Sequence, residues 1–261
     1  MRRVLIIGKK SFLGSNLKKR LSKYFKIDNY SYEKVISKNN DFFIRYSHII
    51  NTTIHQNYIK KKYNNKYDLD RNFINKFDKF NFFYIFLNTR KIYKIDENIN
   101  ERSIKLPLDN YSKNKLITEK FLKKTLNKKL ISLRISNVLG KRIYNNLRNH
   151  HKLFLDRFYK LRKNKKLLIK NDYKDFISII QFCTIIKEII QYKIAGVYNV
   201  SLGKKIYVSQ LLSWLDNSFF KKAKFVSSKS DSFTLSNKKL LKKIKFKIKK
   251  RDLEIFCKKL I

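Results

Sequence analysis

The chain has 261 residues, 43% of them hydrophobic. That is enough apolar material for a sizeable core, and it excludes wholesale disorder. Its only two cysteines, Cys183 and Cys257, lie far apart and outside any metal-ligand spacing, which excludes a disulfide framework and fits a reducing compartment.

The formal net charge is +44. One reading of it is attraction to anions, nucleic acid above all. The other is composition. Alanine occurs only as Ala195 and Ala223 and proline only as Pro107, while Lys, Asn, Ile, Phe and Tyr fill the chain. These are the residues of A/T-rich codons, and the lysines are spread over the whole length. Compositional bias is the favoured main cause; the shortage of acids keeps the other reading open.

Val4 to Ile7 is a short apolar run stopping at Gly8, the pattern of a buried parallel strand. It is too short for a signal peptide, and no later run approaches the roughly 18 apolar residues of a membrane-spanning helix. A soluble cytoplasmic protein is expected. Ser15 to Phe25 carries Leu17, Leu21 and Phe25 at helical spacing. Lys26 to Tyr30 and Tyr46 to Thr52 read as strands, and residues 57–81 as helix-compatible. Phe82 to Leu87 reads as an aromatic strand, Tyr111 to Leu126 as a helix and Leu130 to Ile135 as a strand. Strands alternating with helices imply right-handed βαβ units and a parallel sheet. Beyond Gly140, Leu147 to Lys166 is a basic helix candidate. Phe176 to Ile190, Val197 to Val200 and Val208 to Leu215 continue the α/β texture. The lysine-rich tail Ser236 to Ile261 carries Leu240, Ile244, Leu253 and Phe256. No linker or repeat divides the chain, so one unit is expected over 1–261: a dinucleotide-binding core over about 1–140, and a substrate lobe with returning core elements over about 141–261.

Val4 to Gly14 reads as strand, turn and helix start. Backbone amides at such a helix N-terminus favour an anion. Gly8 permits the tight turn. Gly14 permits close helix–strand packing or close approach of phosphates. Farther on, Tyr111 and Lys115 stand one helical turn apart on one face. A free tyrosine ionises near pH ~10, and a neighbouring ammonium lowers that value. Thr89 lies four residues before Tyr93 at a strand end, and Pro107 four residues before Tyr111.

Taken in order, these segments resemble the extended short-chain dehydrogenase/reductases, the NAD-dependent epimerase/dehydratase family that modifies nucleotide sugars. Gly8, Ser11 and Gly14, with Phe12-Leu13 between, follow its G-x-x-G-x-x-G turn, with Ser11 in place of the middle glycine. Thr89-Arg90-Lys91-Ile92-Tyr93 follows its Ser/Thr-x-x-Val-Tyr strand end. Leu133-Arg134-Ile135-Ser136-Asn137-Val138-Leu139-Gly140 follows Leu-Arg-x-x-Asn-Val-Tyr-Gly. Lys174-Asp175-Phe176-Ile177 follows Arg-Asp-Phe-Ile, and Gly196 to Gly203 follows Gly-x-Tyr-Asn-Val-Gly-x-Gly.

The resemblance implies a Rossmann-like doubly wound sheet with a small C-terminal substrate lobe. It implies NAD or NADP held by Gly8, Ser11, Phe12, Leu13, Gly14, Thr52 and Lys115. Tyr111 is the implied general acid/base, Lys115 its tuner, and Thr89 the hydrogen-bond partner of the reacting oxygen. Asn137 and Lys174 are the implied contacts to a nucleotide-diphosphate sugar, in the making of polysaccharide precursors. Asn72 matches a family asparagine or stands there by chance. The chain is short for the family, which points towards a 4-keto-sugar reductase. Arg90 and Lys91 replace the acids a dehydratase carries beside Thr89. A homodimer, as in relatives, is a further expectation.

Asp28, about 20 residues past the glycine turn, sits where an acid holds an NAD ribose. It reads also as a turn residue, and Lys26 and Lys34 suit a 2′-phosphate. His48 reads as packed core, and the adjacent His150 and His151 as a poor metal pair; no metal motif appears. Two basic stretches, 150–166 and 238–251, read as diphosphate- or polyanion-attracting faces or as solvated ones. The rival reading from another class is a non-catalytic relative that binds nucleic acid or senses a dinucleotide.

Overall fold

The computed structural model describes residues 1–77, 81–144, 153–162, 168–228 and 231–260. In chain order its first half contains β1 (Arg3–Ile7), α1 (Phe12–Leu21), β2 (Lys26–Tyr30), α2 (Tyr32–Ile36), α3 (Asp41–Ile44), β3 (His48–Asn51), α4 (Gln56–Lys60), α5 (Leu69–Phe77), β4 (Phe83–Thr89), α6 (Asn110–Leu126) and β5 (Leu130–Ile135). The second half adds β6 (Asn137–Leu139), α7 (Phe154–Arg162), β7 (Leu168–Asn171), β8 (Tyr173–Lys174), β9 (Phe176–Ser178), α8 (Ile179–Tyr192), β10 (Gly196–Val200), β11 (Ile206–Tyr207), α9 (Val208–Leu215), α10 (Asn217–Lys222), β12 (Lys224–Ser227), α11 (Lys238–Leu241) and α12 (Lys250–Lys258).

Six parallel strands form the central sheet in the order β10-β5-β4-β3-β1-β2. Alternate side chains of one strand serve opposite faces. Val4 and Ile6 pack with Leu17 and Leu21 of α1 and with Ile185, Ile186 and Ile189 of α8. Leu5 and Ile7 pack with Phe73 and Phe77 of α5 and Leu122 of α6. Both faces being covered, β1 has to be apolar at every position, which is why Val4 to Ile7 reads as an unbroken run. Each such side chain contributes about 1.5–3 kcal/mol by leaving water. A third cluster, with Leu155 and Phe158 of α7, Leu211 and Leu212 of α9, Leu253 and Cys257, gathers elements of the second half of the chain. From this half of the chain, α8 and β10 return to the central sheet.

Buried polar residues fasten helices to this sheet. Arg134 of β5 and Glu119 of α6 pair at 2.6 Å, and Ser132 donates to the same carboxylate at 2.5 Å. His48 in β3 is fully buried and stacked on Phe83, and burial, seconded by Arg2 and Lys193, pushes its pKa down to about 3.

Several expected boundaries move. The first helix begins at Phe12 because Ser11 caps it. The stretch 57–81 divides into α4 and α5, and the tail into α11 and α12. Of the basic helix candidate residues 153–162 are described, and Phe154–Arg162 form α7; His150, His151 and Lys166 lie outside the described residues.

The chain leaves β1 for β2 on one side and returns across β1 to β3 on the other. The connections diverge at the carboxyl ends of β1 and β3, and such a switch point opens a crevice there.

Candidate active site

A cleft of about 900 Å³ occupies that crevice. It is walled by Gly8 to Leu13 after β1, by Ser31, Tyr32 and Glu33 after β2, and by Thr52 to Asn57 after β3. Gly8 has φ +117°, a region that disfavours any side chain. A Cβ on Gly14 would lie 2.3 Å from the Gly8 carbonyl oxygen, so this glycine lets α1 pack against the turn.

Ser11 lies between them with φ −68° and ψ 155°, extended backbone that does not require glycine. Its Oγ accepts from the Gly14 amide at 2.9 Å and donates to the Gly8 carbonyl at 2.9 Å. Thr52 Oγ1 stands 2.6 Å from the same oxygen and donates to the Ile7 carbonyl at 2.7 Å. The turn is therefore stitched by two hydroxyls. The amides of Phe12 and Leu13, at the mouth of a ten-residue helix, have no partner among the described residues. Such amides suit a phosphate.

A second cavity of about 270 Å³ adjoins the first, sharing Phe12, Leu13 and Leu153 with it. Thr89 reaches it from the end of β4, Tyr111 from the first turn of α6 and Asn137 from β6. Asp109 caps α6 by accepting from the Ser112 amide at 2.8 Å, and Lys91 pairs with its carboxylate at 2.8 Å. Asn137 Nδ2 donates to the Asp175 carbonyl at 3.2 Å, which fixes one donor of the amide. Ser136, 8% exposed, lines this cavity, and its Oγ has no partner among the described residues. A buried hydroxyl without a bond is costly, and a ligand in the cavity would relieve it. Burial pushes the Tyr111 phenol above its ordinary pKa, and Asp109 and Asp70 push the same way.

Three expected site residues lie elsewhere. Asp28 is central in β2, and β2 runs on to Tyr30. Its carboxylate takes Arg3 Nε at 2.8 Å and the Tyr46 hydroxyl at 2.7 Å, and it lines neither cavity. The residues at that end of the cleft are Ser31, Tyr32 and Glu33. Lys115, 5% exposed, also lines neither cavity; its ammonium pairs with Asp70 at 3.6 Å and lies over the Phe86 ring. Lys174 is bound to Asp231, which also takes Arg90 at 2.7 Å. Asn72 donates to the Lys66 carbonyl at the surface, and Asp70 is the buried polar residue of α5.

Two further lining residues carry no sequence signal of their own. His55 caps α4 and stacks on Tyr67 at the edge of the first cleft. Arg142 reaches the same cleft.

No family model and no curated protein sequence matches the chain. Solved structures do. The structure of a UDP-N-acetylglucosamine 4-epimerase from Methanobrevibacter ruminantium M1, in complex with UDP-N-acetylmuramic acid, superimposes with TM-score 0.79 at 17% identity, covering 99% of this chain and 96% of that one. The Bordetella bronchiseptica enzyme WbmH, in complex with NAD+, gives 0.80 at 14% identity, covering 99% and 96%. A dTDP-4-dehydrorhamnose reductase from Clostridium acetobutylicum gives 0.67 at 16% identity, covering 92% and 91%. At these identities the likeness establishes the fold: the chain has the Rossmann-like α/β architecture of those proteins along nearly its whole length.

Proposed function

We propose that the chain is an NAD- or NADP-dependent oxidoreductase or epimerase acting on a nucleotide-diphosphate sugar, with reduction of a keto sugar as the favoured reaction. The observation that carries this reading is the joining of the two cavities through Phe12 and Leu13, with Thr89, Tyr111 and Asn137 converging on the second. The first cleft fits a dinucleotide. Its turn has no Cβ at Gly8 or Gly14, its helix offers the Phe12 and Leu13 amides, and its volume suits an extended ligand. Gly8, Ser11, Phe12, Leu13, Gly14 and Thr52 form that cradle. A bound nicotinamide supplies or accepts hydride.

The residues of the chain do the rest. Tyr111 exchanges a proton with the sugar oxygen. Thr89 donates a hydrogen bond to that oxygen and stabilises charge developing there. Asn137 holds the diphosphate, and Lys174 joins it once exchanged from Asp231. Arg90 and Lys91 beside Thr89 are tied to Asp231 and Asp109, and neither offers the carboxylate that dehydration uses. Two of the structural neighbours, a nucleotide-sugar epimerase and a dehydrorhamnose reductase, support the substrate class. Pairing of two copies belongs to the same reading.

The test is turnover of nucleotide-linked 4-keto sugars with NADH or NADPH, followed at the nicotinamide absorbance. Tyr111→Phe is expected to lower kcat by about 10²–10⁴-fold with the fold retained. Unchanged turnover in that variant contradicts the reading. The charge of +44 favours a second reading, nucleic-acid binding. That reading predicts salt-sensitive RNA affinity indifferent to Tyr111→Phe.

A further inference from the structure

Asp70 stands among donors from three elements. The Lys115 ammonium of α6 approaches Oδ2 at 3.6 Å, while Asn51 Nδ2 of β3 and the Tyr84 hydroxyl of β4 donate to Oδ1 at 3.0 and 2.7 Å. Asp70 and Lys115 are each only 5% exposed. Burial pushes the Asp70 carboxyl above the usual carboxylate range and Asp68 pushes the same way, while Lys115 and the two hydrogen bonds pull it back. Asp68, two residues before it, is satisfied by the Tyr63 and Thr118 hydroxyls and the Arg71 amide. Burial raises the Tyr32 phenol of α2, and Asp70 pushes it the same way. Lys115 is the cation facing Asp70, and its ammonium is enclosed by Asp70 and the rings of Phe86 and Tyr58. Tyr111, one turn before Lys115, follows the helix cap Asp109, which adds to burial in pushing its phenol up and which Lys91 pairs from outside.

A lysine in this position lowers a neighbouring phenol only by the charge it does not share. A buried carboxylate on the same ammonium offsets that charge, and through the low-dielectric interior it opposes phenolate directly. We propose that Asp70 is a positioning residue that holds and neutralises Lys115, so that Tyr111 stays a protonated phenol through neutral pH and serves the site as a proton donor. The direction of chemistry follows, and here the inference rests on the function proposed above. A phenol donates its proton to a carbonyl oxygen as hydride from a reduced nicotinamide dinucleotide reaches the carbonyl carbon. The carbonyl becomes an alcohol, the dinucleotide is oxidised, and the phenolate is reprotonated from solvent. Oxidation of a sugar hydroxyl needs the phenolate at the outset, which this pairing disfavours. Asp70 thus sets the site towards keto-sugar reduction.

The experiment is a ¹³C NMR titration of the full chain carrying [¹³Cζ]tyrosine, with the Tyr111 signal assigned by its loss in Tyr111→Phe. It needs no substrate, so it reads the role of Asp70 even if the sugar assignment fails. In the wild-type protein the Tyr111 signal is expected to remain that of the phenol at least to pH ~10, the value of free tyrosine. In Asp70→Asn, which keeps the shape and removes the charge, its midpoint is expected to fall by a unit or more, at least tenfold in acidity. A structural role for Asp70 alone would change stability and leave the midpoint in place. An unmoved midpoint in a folded Asp70→Asn protein overturns the proposal. Should that variant not fold, the wild-type titration decides alone: a Tyr111 phenolate appearing between pH 6 and 9 also overturns it.

Discussion

Ser11 shows how one side chain can take over a position that resembles a glycine motif. Its backbone is extended, so it gives up nothing that glycine offers, and its hydroxyl caps α1 through the Gly14 amide. Ser11→Ala is expected to lower the unfolding free energy by about 1 kcal/mol, and Ser11→Gly by only a few tenths, measured by urea denaturation. Equal losses in both would assign the effect to the contact with Thr52. At this scale the sequence was informative where chemistry depends on near neighbours. Thr89 and Tyr111 were expected from the resemblance of their segments to the dehydrogenase family, and both line the second cavity. It was uninformative where partners are remote. Asp70 lies on another helix from Lys115, and nothing local in either segment signals the pair. Asp28 stands away from the cleft for a different reason. A spacing of about 20 residues from the glycine turn does not say where the strand ends, and here β2 continues two residues further, so Ser31 stands at its mouth.

Among the elements, β1 and β4 were legible because runs of four or more apolar residues have little alternative in a doubly covered sheet. The pairs β7 with β12, β8 with β11 and β6 with β9 were not. Each is only two to four residues long and is fixed by its partner, so no periodicity announces it. The attachment of α6 to β5 is the element-level contact with most at stake, since this helix carries Tyr111. Arg134 and Glu119 are about 5% exposed in their side chains, and burial of such a pair is tolerable only while both partners are present. Arg134→Ala is expected to cost about 3–5 kcal/mol in a denaturant titration, because it strands the Glu119 carboxylate. A loss below about 1 kcal/mol, as for an exposed pair, would show that α6 is held by its apolar face alone.

For the whole molecule, the alternation of strands and helices foretold a parallel sheet, and right-handed crossovers limit how such a sheet is wound. Core elements returning from the second half were expected, but that β10 takes its place beside β5 was not readable, because strand order is decided by long-range packing. The sheet order matters for function: it places the chain reversal at β1 and β3, and with it the cleft. Charge acts at this scale too. With +44 on 261 residues, any polyanion is attracted over about a Debye length, and that attraction weakens as salt shortens it. A built dinucleotide site differs, since backbone amides and apolar walls do not screen away. Titration of the purified protein with NADH and with NADPH, followed by nicotinamide fluorescence at low and at moderate salt, therefore tests the central claim most directly. One saturable site per chain, retained at moderate salt and lost in Gly14→Val, is the predicted result. Absence of binding, or binding that fades with salt and ignores Gly14→Val, would contradict it and favour a polyanion as the ligand.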